Sequence, residues 1–140
     1  MKVRALAAAM LLTMGMAPAH STMRISDDHG GQLGPYLDKY RALAQSGERV
    51  EIDGVCASAC TMLLGLIPAD RICVTPRAVL EFHSAWDIAG DQSVSDAGTR
   101  LLWSHYPTKI RAWINRHGGL GSRVIYLRWP EVARMYPSCR

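Results

Sequence analysis

Val50-Glu51-Ile52-Asp53-Gly54-Val55-Cys56-Ala57-Ser58-Ala59-Cys60-Thr61-Met62-Leu63-Leu64-Gly65-Leu66 changes period half way along. Val50 to Ile52 alternates apolar and acidic residues as a strand does, Gly54 is expected to break it, and Ala57 to Leu66 is an apolar run long enough for a buried helix. On the N-terminal side, Leu33, Leu37, Tyr40 and Ala44 recur at helical spacing, with Gly47 placed as a C-terminal stop. Before them Met23 to Ser26 reads as a strand running into Asp27-Asp28-His29-Gly30-Gly31. On the C-terminal side, Arg71 to Val74 and Val79 to Phe82 are two further short strands separated by Pro76. Strand, helix, strand, helix, strand is the order of parallel βαβ units with right-handed crossovers, so the fold class is α/β with a short parallel sheet. Beyond Trp86 the pattern changes: Asp87 to Thr99 is polar and is expected as a loop. Leu101 to Tyr106 and Pro107 to His117 follow as helices, and Ser122 and Pro130 are expected to open two short helices. The C-terminal part is therefore expected to be helical.

The first 19 residues read differently from the rest. Lys2 and Arg4 precede an Ala, Leu and Met-rich stretch from Ala5 to Met16, and Ala17-Pro18-Ala19 is the small-x-small pattern of a signal-peptidase site. Residues 1–19 are expected to be a secretory signal and residues 20–140 one domain, exported to the periplasm or beyond. A membrane-spanning helix needs about 20 consecutive apolar residues, so no stable anchor is expected after cleavage. Without Lys2 and Arg4 the formal charge of +4 becomes +2, with the basic residues scattered among acids. That argues against nucleic acid as a partner, which calls for clustered Lys and Arg. The remaining length suits one core rather than two.

Cys56, Cys60, Cys73 and Cys139 would meet an oxidising compartment, where disulfides are the expectation. Four cysteines allow three pairings and spacing does not choose among them. A Cys56 to Cys60 link needs a distorted turn between them; a link from either to Cys73, with Cys139 tying down the C-terminus, is an equal alternative. Zinc is disfavoured, because CxxxC stands here without a second close pair. Nothing calls for a cofactor.

Ligands of open parallel sheets sit beyond the C-terminal strand ends. Gly30-Gly31 follows the first strand, Ser58 the second and His83 the last, so three distant loops are expected on one rim. Each also has a plainer reading: Ser58 as a helix N-cap, His83 as a hydrogen-bonded core residue, the glycines as an ordinary turn. Trp103, Trp113 and Trp129 are expected in the core, and His105 and His117 at the surface or capping helix ends.

Gly54-Val55-Cys56-Ala57-Ser58-Ala59-Cys60-Thr61, followed by Met62-Leu63-Leu64, resembles the nucleophile segment of the Clp-protease proteolytic subunit, and more closely that of small exported relatives in the Clp/crotonase-like superfamily carrying CxSAC and a later FH dipeptide. Thr75 to His83 is similar to that family's strand leading to the catalytic histidine, 25 residues after Ser58, and Gly30-Gly31 to its oxyanion turn, 28 residues before it. The resemblance covers Ile25 to Trp86. It implies a serine hydrolase acting on peptides or proteins, with Ser58 attacking, His83 as base then acid, and the Gly30 and Ala59 N–H groups holding the oxyanion. Acyl-CoA chemistry, found in the wider superfamily, does not suit an exported chain.

The chemistry asks for the same parts. A serine hydroxyl needs a neighbouring base, which neutral imidazole supplies near neutral pH, and the oxyanion needs preorganised donors. The family's orienting acid has no counterpart, since Gly121 to Pro130 contains none; Asp87, Asp91, Glu131 and Asn115 are the substitutes. Losing that acid elsewhere lowers turnover by ~10⁴. His29 also stands where the family has proline, and the family's opening strand and helix are missing. The alternative is a catalytically inactive, disulfide-stabilised exported binding module on the same scaffold. A third reading, thiol redox chemistry, requires a readily reducible Cys56 to Cys60 bond. Clp relatives form rings, but no ring-forming segment is identified here, and the oligomeric state stays open.

Overall fold

Strand β1 (Thr22–Asp28) buries Ile25 and leads into helix α1 (Leu33–Ser46). Leu37, Tyr40 and Leu43 form the buried stripe of that helix, and Gly47 ends it at φ 80°, a left-handed conformation that glycine adopts without a Cβ penalty. The structure is a computed structural model and describes residues 21–87 and 90–140; the expected signal segment lies outside them. Strand β2 (Arg49–Ala57) returns parallel to β1.

Gly54 does not break β2, contrary to expectation. Ile25 pairs with Ile52 and Asp27 with Val55, so one extra residue is accommodated as a bulge and the strand runs on to Ala57. A Cβ at Gly54 would lie 1.9 Å from the Ser26 carbonyl oxygen, so the close backbone approach there requires glycine. Strands β3 (Ile72–Val74) and β4 (Val79–Phe82) then share the other edge of β2. Residues 50–52 of β2 pair with β3 and residues 55–57 with β4, both in parallel, so the two behave as one interrupted strand.

Asp53 sits at the interruption and is buried. Arg24 of β1 and Arg77 donate to its carboxylate, as does Thr75 Oγ1 at 2.7 Å. The hydrogen bonds from Arg77, Thr75 and Arg24 hold its carboxyl well below the usual carboxylate range.

From β2 the chain enters a 3₁₀ turn (Ser58–Met62) and a single α-turn, α2 (Leu63–Leu66). The apolar run is thus helical but divided, and a Cβ at Gly65 would lie 1.6 Å from the His105 carbonyl oxygen of the next long helix. That helix, α3 (Asp96–His105), starts earlier than expected because Ser95 caps it, its Oγ accepting the Gly98 N–H at 3.1 Å. Helix α4 (Thr108–Arg116) buries Trp113, whose ring lies 5.8 Å from Phe82. Trp103 is only partly buried against the core and Trp129 is exposed, so of the three tryptophans expected inside, Trp113 alone is fully buried.

The segment after Ser122 is not a helix. It forms β5 (Ile125–Arg128), antiparallel to β4 from Val79–Arg128 to Phe82–Ile125, with Ile125 and Leu127 turned inward and Tyr126 and Arg128 outward. The sheet is therefore mostly parallel with an antiparallel edge, in the order β1-β2-β4-β5 with β3 beside β2. The segment after Pro130 is a three-residue 3₁₀ turn (Val132–Arg134). The buried residues form one cluster from Ile25 to Tyr136. No described helix is long and apolar enough to cross a membrane.

The cysteines pair as Cys56–Cys60 and Cys73–Cys139, spanning 4 and 66 residues. Chain-entropy constraint grows as 1.5RT ln n, so the long loop restrains the unfolded chain by about 2.5 kcal/mol more than the short one.

Candidate active site

Three parallel strands end on one rim. β1 delivers Gly30, β2 delivers Ser58 immediately after Ala57, and β4 delivers His83 immediately after Phe82. All three line a cavity of about 600 Å³, together with Gly31, Leu33 and Trp86.

Ser58 has φ 52°, a left-handed conformation that costs a non-glycine residue ~1–2 kcal/mol. It does not cap the turn, where the N-cap position falls on Ala57 and no side-chain cap bond forms. The conformation swings the chain sharply from strand to 3₁₀ turn. Thr61 Oγ1 donates to the Ser58 carbonyl at 2.6 Å and lies 2.8 Å from the buried Tyr106 hydroxyl, tying the turn to α3's end. Behind Ser58 the Cys56–Cys60 bridge joins strand exit to turn entry, with both cysteines at 0% exposure. Thiol exchange needs an accessible sulfur, so this burial weighs against the redox reading.

Gly30, at φ 80°, packs directly against the Ser58 turn. A Cβ there would fall 2.6 Å from the Ala57 carbonyl oxygen and 2.9 Å from Ser58 Cβ. Its N–H donates to Asp28 Oδ1 at 3.0 Å, and Asp28 Oδ1 also accepts from the Tyr36 hydroxyl at 2.5 Å, with Lys39 Nζ 3.9 Å from Oδ2. Burial, reinforced by the Asp28 carboxylate, pushes the Tyr36 hydroxyl up to about 12, so it remains a donor. Asp28 thus fixes the glycine turn to α1. The Gly30 amide is engaged in this arrangement, whereas the family resemblance implies that it faces an oxyanion.

His83 is half-buried and lines the cavity. Its Nδ1 lies 2.7 Å from the Ser84 carbonyl oxygen. A carbonyl can only accept, so Nδ1 carries a proton, and in the neutral ring Nε2 is then the basic nitrogen. Of the substitutes for an orienting acid, Asp87 lines the cavity, while Asp91, Glu131 and Asn115 do not; among the described residues, the Ser84 carbonyl is a hydrogen-bond partner of the His83 ring. Among the described residues no hydrogen bond joins the Ser58 hydroxyl to His83. The exposed His29 lines the cavity too, its Nε2 2.9 Å from Asp27 Oδ1.

Trp86 is a wall residue that the sequence does not single out. It is 52% exposed and its ring centroid lies 5.7 Å from that of His83. A lone aromatic beside a polar loop carries no periodic signal; its only cue is its place three residues after His83. His117 Nδ1 bonds the Trp113 carbonyl at 2.8 Å at the end of α4, and His105 Nδ1 bonds the Leu101 carbonyl at 2.8 Å.

Among the described residues, Glu51, Cys73 and Cys139 come close enough together to suggest a metal site. Both sulfurs are consumed in a disulfide, which leaves one carboxylate. No protein-family model matches the chain, and no curated protein matches it significantly.

Proposed function

We propose that this chain is an exported Clp-like serine hydrolase acting on peptide bonds. The observation that supports it most is the left-handed Ser58, held at the end of a central parallel strand in the same cavity as the His83 imidazole, whose Nδ1 faces the Ser84 carbonyl. A sharp strand-to-helix turn presents a nucleophile clear of its own backbone. His83 Nε2 takes the Ser58 proton as the hydroxyl attacks the carbonyl and returns it to the leaving amine. The glycine turn and the Ala59 N–H are the donors proposed for the oxyanion; in this structure the Gly30 amide is bonded to Asp28 Oδ1 and Ala59 is buried behind the cavity wall, so a local shift of the turn accompanies substrate binding. The Ser84 carbonyl keeps the ring in the required tautomer but brings no negative charge to the imidazolium. Turnover is accordingly expected to be slower than with a carboxylate.

An inactive binding module on the same scaffold is the second reading. The missing Ser58–His83 hydrogen bond favours it, although such bonds often tighten only when substrate is present. A fluorophosphonate probe separates the two. Wild type should be labelled, Ser58→Ala should not be, and His83→Ala should be labelled ~100-fold more slowly. A folded wild type that stays inert, or equal labelling after Ser58→Ala, overturns the hydrolase.

A further inference from the structure

We infer that the Cys56–Cys60 disulfide is the device that positions Ser58, and is a minor contributor to global stability. The inference rests on the hydrolase reading for its consequence in activity and on geometry alone for its mechanism.

Cys56 lies next to the last residue of β2, paired with Asp28 of β1 and Leu80 of β4. Cys60 is the third residue of the 3₁₀ turn. Their bond, with Cα atoms 5.3 Å apart, encloses Ala57, Ser58 and Ala59 and nothing else. A strained backbone conformation persists only when its surroundings over-determine it. Ser58 is constrained on three sides: Thr61 holds its carbonyl, Gly30 abuts its Cβ, and the disulfide fixes both ends of the reversal. The hydrogen bond and the close packing can both loosen by small movements, but the covalent link cannot. Its four-residue span restricts the unfolded chain little, whereas the 66-residue span of Cys73–Cys139 restricts it much more. The two bridges therefore divide the work: the long one stabilises the fold, and the short one sets a dihedral angle.

The test compares Cys56→Ala/Cys60→Ala with Cys73→Ala/Cys139→Ala. Two quantities are read besides thermal midpoint. One is the Ser58 amide–Hα coupling with its Cα and Hα shifts by NMR, which report the sign of φ; the other is the fluorophosphonate labelling rate. Loss of the short bridge should move Ser58 to negative φ and slow labelling roughly 100-fold while the fold remains. Loss of the long bridge should lower the thermal midpoint further yet leave both site readouts unchanged. Retention of positive φ and of the wild-type rate without the short bridge overturns the inference. If wild type is not labelled but the coupling still changes, the positioning role stands and the hydrolase falls. Should the double variant not fold, Cys60→Ala alone keeps the Cys56 sulfur in the core. Failure of that variant to fold as well would show a global role and overturn the inference.

Discussion

Gly30 carries two constraints at one residue, a positive φ and a contact with the Ser58 turn that leaves no space for a methyl group. Gly30→Ala should destabilise the protein by about 2–4 kcal/mol, the combined cost of a left-handed alanine and an overpacked contact. It should also cut fluorophosphonate labelling, since the nearest atoms to yield are Ala57 O and Ser58 Cβ. Urea unfolding and labelling rate measure the two effects. An alanine variant with wild-type values in both would mean the turn relaxes freely. That Ser58, His83 and Gly30 share one rim is legible in the amino-acid order, because glycine pairs, small residues around a serine and a histidine at a strand end are local features and the strands that carry them run parallel. What they bond to is not. That the Ser84 carbonyl holds His83, and Asp28 the Gly30 amide, depends on where loops fold back, which no local pattern encodes.

The interruption between β3 and β4 makes its own prediction at the scale of an element. The Asp53 carboxylate joins β1 to the turn after β3 through two guanidinium groups and a hydroxyl. Its folded pKa is depressed, so near pH 4 the unfolded chain binds more protons than the folded one and stability rises with pH. That contribution is complete above the unfolded carboxylate value of ~3.9 and is lost as pH falls below it. Asp53→Asn should lower stability at neutral pH and flatten the acid limb of a plot of urea midpoint against pH; an unchanged acid limb would remove Asp53 from the account. Strand β4 and helix α1 are legible to within a residue or two, helped by Pro76 and Gly47 as punctuation. The discrepancies fall elsewhere. Gly54 reads as a terminator in sequence, yet a bulge uses the same residue to continue a strand. The four residues of β5 alternate too briefly to be told from a helical turn, and only their pairing with β4, more than forty residues earlier, makes them a strand.

For the molecule as a whole, the α/β class and mostly parallel sheet follow from the order of periodic segments. The cysteine pairing does not, since proximity in space rather than in sequence selects one of three arrangements. The C-terminus lies along β3: Val74 N–H donates to Pro137 O at 2.9 Å, Cys139 N–H to Val74 O at 3.0 Å, and Ser138 bridges to Val74 in parallel. Without these residues β3 would present unpaired amides and carbonyls beside Ile72 and Val74, the arrangement from which sheets recruit further strands. The tail thus works as a selvedge, a finished border that keeps the weave from taking up another thread. Removing residues 137–140 with Cys73→Ala should increase self-association relative to the full chain. Light scattering against concentration would record it, and a truncated chain that scatters no more than the full one would show that this border is sealed by something else.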